Sequence, residues 1–507
     1  PEESGRSFRF DYAASSADMS AIAFASGRQL TADGPPDLPD DKGANAIYLW
    51  HDGELHLASV LPDGTAASEP WAAKGPLFDS SSYQGEHVVS DDGTRVFFHA
   101  KAPNALYVRE DDSTTRLVSA SERAGDDPAA PHEADFEGAS ADGSAAVFGT
   151  SEPLTEDANS NGGRQLYHWD GDAPSGEKLE NITGGVGRAD VIGASPILSQ
   201  DASRVYFVAT GDPLDDGAVP GQPNLYLWQA QQGVTFIATL SAADAKFWAL
   251  SRNPDSVGGG IRDARVTPDG NHLAFISRAQ LTSHDNGGYQ QVYLYDAVEE
   301  RLHCVSCSNS STGPDSLADF FTISESYHAQ MGPYYLPRNL SADGSRVIFE
   351  TPGKLVSQDS NGKADVYLWE DDRIHLVSSG RSDDRSHFLD ASASGDDIFF
   401  TTREQLVGSD VDQHVDVYDA RVGGGFASQQ LPADCQGDAC QGAVSRGPSA
   451  STPATPDLVG LGNVKRPRAR QCGKNFRKVK AKSRKARCVR KDRSKPKRAK
   501  LHHGGSK

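Results

Sequence analysis

Ser341-Ala342-Asp343-Gly344-Ser345-Arg346-Val347-Ile348-Phe349 is one copy of a phrase written seven times along this chain. Its Asp-Gly pair supplies the left-handed backbone that a tight hairpin needs. The residues that follow alternate, so Val347 and Phe349 share one face of a strand. Clear copies run from Ser90-Asp91-Asp92-Gly93 to Phe98, from Ser140-Ala141-Asp142-Gly143 to Phe148 and from Thr267-Pro268-Asp269-Gly270 to Phe275. Weaker copies start at Ser16, Ser199 and Ser392 and end at Phe24, Phe207 and Phe400. After each Phe come a loop and a second apolar strand with a Tyr: Tyr48, Tyr107, Tyr167, Tyr226, Tyr293, Tyr367 and Tyr418. In the last five copies Phe and Tyr stand 18 or 19 residues apart.

A third strand follows, as in Ile374-His375-Leu376-Val377-Ser378, and another precedes each turn, as in His387-Phe388-Leu389-Asp390-Ala391. A sheet of four short strands is too small to stand alone, but radial packing buries both of its faces. The chain is therefore expected to be all-β: a seven-bladed β-propeller of four-stranded blades over residues 1–430. The strands before the turns should line the axis. Blade 1 should own its first strand, near Ser7–Ala14, and blade 7 its last, near Phe426–Gln430.

The Ser-x-Asp-Gly-x-x-Ile/Val-x-Phe phrase resembles the WD40-like PD40 repeat of TolB-type propellers, over roughly residues 8–430. Asp18-Met19, Asp201-Ala202 and Ser394-Gly395 depart from the Asp-Gly pair. The TolB type also implies six blades and an extra domain, against seven copies here. The resemblance implies a binding module of the bacterial cell envelope.

Beyond the repeats, residues 431–464 are rich in Pro, Ser, Gly, Ala and Thr, the composition of a linker. Residues 465–507 hold 20 Lys/Arg and one acid, Asp492, for a charge of +19. That leaves 30 basic against 69 acidic residues elsewhere, or −39. With almost no apolar residues the tail is expected to be disordered. Its charge suits anionic polymers or lipid surfaces. Nucleic acid is the less expected partner, because Phe476 is the tail's lone aromatic and single-strand stacking needs several. The sequence holds no run of 18 apolar residues, and nothing in it fixes an oligomeric state.

Six cysteines fall into three close pairs, Cys304/Cys307, Cys435/Cys440 and Cys472/Cys488. Paired cysteines fit disulfides in an oxidising, extracytoplasmic compartment, secreted or at the envelope. Cys304-x-x-Cys307 also has zinc-ligand spacing, but no His stands at finger spacing.

Naming the strands of a blade A to D, the A–B turns are tight and the B–C loops long. In an up-and-down blade the B–C and D–A connections share one face, which is where ligands belong. Three B–C loops carry hard oxygen ligands at calcium-like spacing: Asp157, Asn159 and Asn161; Asp359, Asn361 and Asp365; Asp410, Asp412 and Asp416. The same residue types also build plain turns. Two D–A inserts are aromatic, with Phe247 and Trp248 in one and Phe320, Phe321, Tyr327, Tyr334 and Tyr335 in the other. Such residues stack on sugars, anchor peptides or plug the funnel. Trp50, Trp169, Trp228 and Trp369 recur at one register of strand C, which marks packing.

No Gly-x-Ser-x-Gly elbow and no His-Glu-x-x-His occur. No cofactor is called for beyond calcium in the loops. The expectation is a non-catalytic binding scaffold that uses the loop-rich face. The alternative is a carbohydrate-active hydrolase or lyase with acids lining the funnel.

Overall fold

The computed structural model describes residues 11–424 apart from 39–43, 73–85, 102–104, 186, 194–195, 245–247, 249–263, 308–315 and 321–336, together with 474, 476–481 and 484–490. Seven antiparallel sheets follow one another along the chain. Blade 1 is β1 (Asp11–Ser15), β2 (Ala21–Ser26), β3 (Ala46–His51) and β4 (Glu54–Leu57); blade 2 is β5 (Trp71–Ala72), β6 (Arg95–Ala100), β7 (Ala105–Glu110) and β8 (Thr114–Leu117). Blade 3 is β9 (Asp135–Ala139), β10 (Ala145–Thr150), β11 (Gln165–Asp170) and β12 (Leu179–Asn181); blade 4 is β13 (Ile197–Leu198), β14 (Arg204–Ala209), β15 (Asn224–Gln229) and β16 (Gly233–Thr239). Blade 5 is β17 (Ala264–Val266), β18 (His272–Ser277), β19 (Gln291–Asp296) and β20 (Arg301–Cys304).

Blades 6 and 7 have three described strands, not the four expected: β21 (Arg346–Thr351), β22 (Asp365–Glu370) and β23 (Arg373–Leu376), then β24 (His387–Ala391), β25 (Asp397–Thr402) and β26 (Asp416–Arg421). In blade 6 a single bridge, Leu340 to Val347, stands where strand A should be. The Asn339 side chain takes over there, donating to the Ile348 carbonyl at 2.9 Å. The fourth strand expected for blade 7 falls outside the described residues.

The repeated Phe and Tyr are cross-strand partners in all seven sheets: Phe24–Tyr48, Phe98–Tyr107, Phe148–Tyr167, Phe207–Tyr226, Phe275–Tyr293, Phe349–Tyr367 and Phe400–Tyr418. Their rings lie 5.5–6.0 Å apart. Aromatic pairs directly opposite one another stabilise a sheet beyond the area they bury. Between blades the apolar faces close on each other. Val147 and Leu166 of blade 3 meet Val205 and Phe207 of blade 4, and Ile276 and Val292 of blade 5 meet Val347 and Phe349 of blade 6.

The Ser-x-Asp-Gly turns link one blade to the next. The Asp91 amide donates to the Ala141 carbonyl, Ala141 to Gln200, and Gln200 to Pro268, each at 2.7 Å. Proline has no amide hydrogen to pass the chain on. The turn glycine is required twice over. Gly344 has φ +75°, and a Cβ on it would stand 2.3 Å from the His272 ring of the preceding blade.

Among the described residues, blades 7 and 1 are not joined as the other six neighbouring pairs are. Trp169 packs on Phe97 of blade 2, Trp228 donates to Glu180 of blade 3, and Trp369 faces His303 of blade 5. Each recurring Trp thus covers the preceding blade. Trp50, which would cover blade 7, is 42% exposed, and Val417 of blade 7 is 64% exposed. Among the described residues no apolar cluster joins the two blades.

Residues 432–507 form a second compact unit, separate from Pro1–Leu431. The tail, expected to be disordered, contains two described strands. β27 (Phe476–Ala481) and β28 (Arg484–Arg490) pair as an antiparallel hairpin, with Lys478 opposite Cys488. Period-two alternation in Lys478-Val479-Lys480-Ala481 is a strand pattern that the charge count hid.

Candidate functional site: the central cavity and the B–C loops

Strand C tyrosines pin the B–C loops. Tyr48 donates to the Arg28 carbonyl at 2.9 Å, Tyr293 to Ala279 at 2.8 Å and Tyr418 to Glu404 at 3.0 Å. What each loop does with its oxygens differs. In blade 3 the Asn159 amide donates to Gln165 Oε1 at 3.0 Å, Asn161 Nδ2 to the Gly187 carbonyl at 3.2 Å, and Thr155 Oγ1 to Asp157 Oδ1 at 2.6 Å. Asp157 Oδ1 and Asn159 Oδ1 thus each accept a hydrogen bond from within the loop, the latter from the Asn161 amide at 3.2 Å. In blade 6 Asp359 and Asp365 are both buried, and Tyr367 donates to Asp359 Oδ2 at 2.6 Å. In blade 7 Asp410, Asp412 and Asp416 bring ligand atoms within 4.8 Å of one another, and Tyr418 donates to Asp410.

Of the aromatic inserts, Trp248 and Phe320 are described, and both are buried. Trp248 packs against Phe275 of strand B at 6.3 Å, and the Arg265 guanidinium lies 5.2 Å over the Phe320 ring. Both are core residues, in keeping with the burial weighed beside ligand binding for these inserts. Phe247, Phe321, Tyr327, Tyr334 and Tyr335 lie outside the described residues. Cys304 and Cys307 form a disulfide with Cα atoms 5.4 Å apart. Cys488 lies on β28, while Cys435, Cys440 and Cys472 fall outside the described residues. No helix among the described residues is long and apolar enough to cross a membrane.

Residues on and beside the A strands of blades 4 and 5, with Glu86 and His87 of blade 2, line an open cavity of about 290 Å³, its polar lining being Glu86, His87, Gln200, Arg265 and Thr267. A bridge from Glu86 to Gly138 and a hydrogen bond from the Ala139 amide to the Glu86 carbonyl tie blade 2 to blade 3 here. His87 has φ +55°, a left-handed backbone that a β-carbon disfavours. Its Nδ1 stands 3.5 Å from Asp91 Oδ1. Arg265 donates to the Pro337 carbonyl at 2.9 Å.

A second charged group lies on β9. Arg164, at the end of the B–C loop, reaches Asp135 and Glu137 with 2.5 Å contacts to each. Burial opposes the charge on Arg164, but Glu137 and then Asp135 outweigh it and hold its pKa above the ordinary value. Sequence reasoning assigned the axis to the A strands without choosing residues on them. Asp135-Phe136-Glu137 puts charge into a strand that should read as apolar, and Glu86-His87 stands just ahead of the blade 2 turn.

Comparison with known protein families finds no match, and comparison with curated protein sequences finds none either. Solved structures do resemble the chain. A structure from a study of two prolyl endopeptidases is 9% identical, with a TM-score of 0.37 over 81% of this chain and 48% of that one. The β-propeller domain of the Trilobed protease from Pyrococcus furiosus is 10% identical, with a TM-score of 0.33 over 84% of this chain and 95% of that one. An oligogalacturonate lyase from Vibrio parahaemolyticus is 13% identical, with a TM-score of 0.32 over 82% and 90%. The chain spans about half the length of the prolyl endopeptidase it matches. At these identities the likeness is one of fold, the β-propeller. The expectation of a non-catalytic scaffold finds no support in these matches, which are peptidases and a lyase.

Proposed function

We propose that this is an extracytoplasmic propeller of the TolB/PD40 repeat type that cleaves carbohydrate, as a hydrolase or lyase, in its central cavity. The observation that carries the reading is His87. Among the described residues twelve non-glycine residues hold a positive φ, and His87, at +55°, is the one of them that lines this cavity. It lines the cavity together with Glu86 and Arg265. Asp91 beside Nδ1 favours the tautomer with its proton there, which leaves Nε2 to accept one from substrate. Glu86 supplies a second proton carrier, and Arg265 a positive charge. Base, acid and guanidinium are what β-elimination on an acidic sugar needs; base and acid alone serve hydrolysis. The disulfide supports an oxidising compartment. The basic segment 465–507 is read as a contact for anionic envelope polymers or lipid headgroups.

The test is a panel of neutral and uronate oligosaccharides, scored for new reducing ends and for ultraviolet absorbance of an unsaturated product. Unsaturated product marks the lyase, and reducing ends without it mark the hydrolase. His87→Asn keeps a residue that tolerates the left-handed backbone and should lower kcat/KM by roughly 10²-fold or more. Neither product across the panel, or an equally active variant, overturns the reading.

A further inference from the structure

The residue two positions before the strand C tyrosine does the same work in blades 3, 4 and 5, and cannot do it in blade 6. In blade 4 it is Asn224. Its Oδ1 accepts from Thr239 Oγ1 at 2.7 Å, and its Nδ2 donates to the Val219 and Gln222 carbonyls at 2.9 and 3.0 Å. In blade 5 it is Gln291, which accepts from Ser306 at 2.7 Å and donates to the Ser316 carbonyl at 3.1 Å. In blade 3 it is Gln165, which accepts from Asn181 at 3.1 Å and donates to the Asn159 carbonyl at 3.1 Å. A neutral amide both accepts from the strand D side and donates into the B–C or D–A loop, so nothing buried is left over.

Blade 6 puts Asp365 at this position. It keeps the first half of the pattern, because Ser378 Oγ donates to its Oδ1 at 2.5 Å. It has no hydrogen to donate. Asp365 is fully buried, and its Oδ2 makes no hydrogen bond of full geometry, although the Asn361 side chain and the Gly380 backbone lie close enough to favour its charged form. A second buried carboxylate, Asp359, lies beside it, with Tyr367 donating to its Oδ2 at 2.6 Å and the Asn361 amide to its Oδ1 at 3.3 Å. Burial first, and the Asp359 charge in addition, push the Asp365 carboxyl above the ordinary range. Among the described residues no Lys, Arg or His forms an ion pair with either acid. Two buried carboxylates with no counter-charge are a costly arrangement until something positive joins them.

We propose that the B–C loop of blade 6 is a divalent-cation site of the calcium type, with Asp365 Oδ2 as its buried ligand and Asp359 as its second carboxylate. The donors are all oxygen and none is nitrogen or sulfur, which suits a hard cation and not zinc. Loop carbonyls and water complete a shell of six to eight oxygens. The Tyr367 and Ser378 hydroxyls orient the two carboxylates from behind. The site does not depend on the catalytic reading, since it lies in blade 6, whereas His87 belongs to blade 2 and Arg265 to blade 5. Asp410, Asp412 and Asp416 hold the same register in blade 7 but are more exposed, so that loop serves as the control.

The experiment uses the full chain, stripped with a chelator and melted against rising calcium at constant ionic strength. A cation that binds only the folded protein raises the melting temperature with concentration. Asp365→Asn restores the amide chemistry of blades 3 to 5, so the variant should fold and melt at or above the metal-free parent. Its half-saturating calcium should rise at least tenfold, and calorimetric titration should show one site fewer. Asp416→Asn should keep the response of the parent at the blade 6 site. A parent melting temperature that ignores calcium would mean that the two carboxylates share a proton, and overturns the proposal. So does a full calcium response in Asp365→Asn, which would put the ion in another loop.

Discussion

His168 shows how one ring sets an acid limit on this protein. It lies on β11, its ring centroid 5.0 Å from that of Trp228 in the next blade. Burial against that apolar surface lowers its pKa to about 4, and the nearby Asp170 and Asp201 only partly oppose the shift. The neutral ring is therefore the folded form. An unfolded chain takes up the proton near pH 6.5, the folded one near 4, so the unfolded state binds more protons in between. The stability that His168 contributes is complete above pH 6.5 and declines as pH falls toward 4. His168→Gln, an uncharged replacement of similar size, should flatten the slope of stability against pH across that window while costing some packing at neutral pH. Urea midpoints taken at intervals from pH 7 to 4 test this; an unchanged slope would mean that the ring takes up its proton at the same pH in the folded and unfolded states.

At the scale of the element, the blade was legible because its wording is local. Asp-Gly turns, alternating strands and a Phe answered by a Tyr are set by neighbours in sequence, and all seven Phe–Tyr pairs fall opposite one another. Glu86, His87 and Arg265 were not legible, because they become neighbours only when three blades meet around the axis. Asp365 was singled out among the calcium-like residues, but its distinction from Gln165 and Gln291 lies in burial, which spacing does not report. The tryptophans show the same divide. Their shared register marked packing, yet Trp50 is left half-open because its cover would have to come from blade 7. A face packed on both sides resists opening more than one packed on a single side. Amides of β2 and β3, and of β25 and β26, should therefore exchange with solvent earlier than those of β14, β15, β18 and β19. Hydrogen exchange read by mass spectrometry decides it. Uniform protection across all seven blades would show a closed and well-packed seam.

The whole molecule carries its charge in two blocks, −39 in residues 1–464 and +19 in residues 465–507. Exposed charges act through screened fields, so a basic block that binds anionic surfaces should do so with a strength that depends on salt, and should add little folding energy. Its 43 residues contain few apolar side chains, and the hairpin β27–β28 is a two-stranded unit, which is marginal by itself in water. Removing residues 465–507 should leave the melting temperature of the propeller within about a degree, since the apolar burial it removes is small. Binding to vesicles rich in anionic lipid, or to an anionic envelope polymer, should fall sharply. The same binding by the full chain should weaken as salt rises and the Debye length shrinks from ~10 Å at 0.1 M to ~3 Å at 1 M. The rival account is that the tail neutralises the acidic propeller. It predicts the reverse pair of results: a clear loss of thermal stability on truncation at low salt, recovered at high salt, with binding to anionic surfaces unchanged. Melting and vesicle co-sedimentation of both proteins at two salt concentrations separate the two accounts, because each predicts the measurement that the other leaves flat.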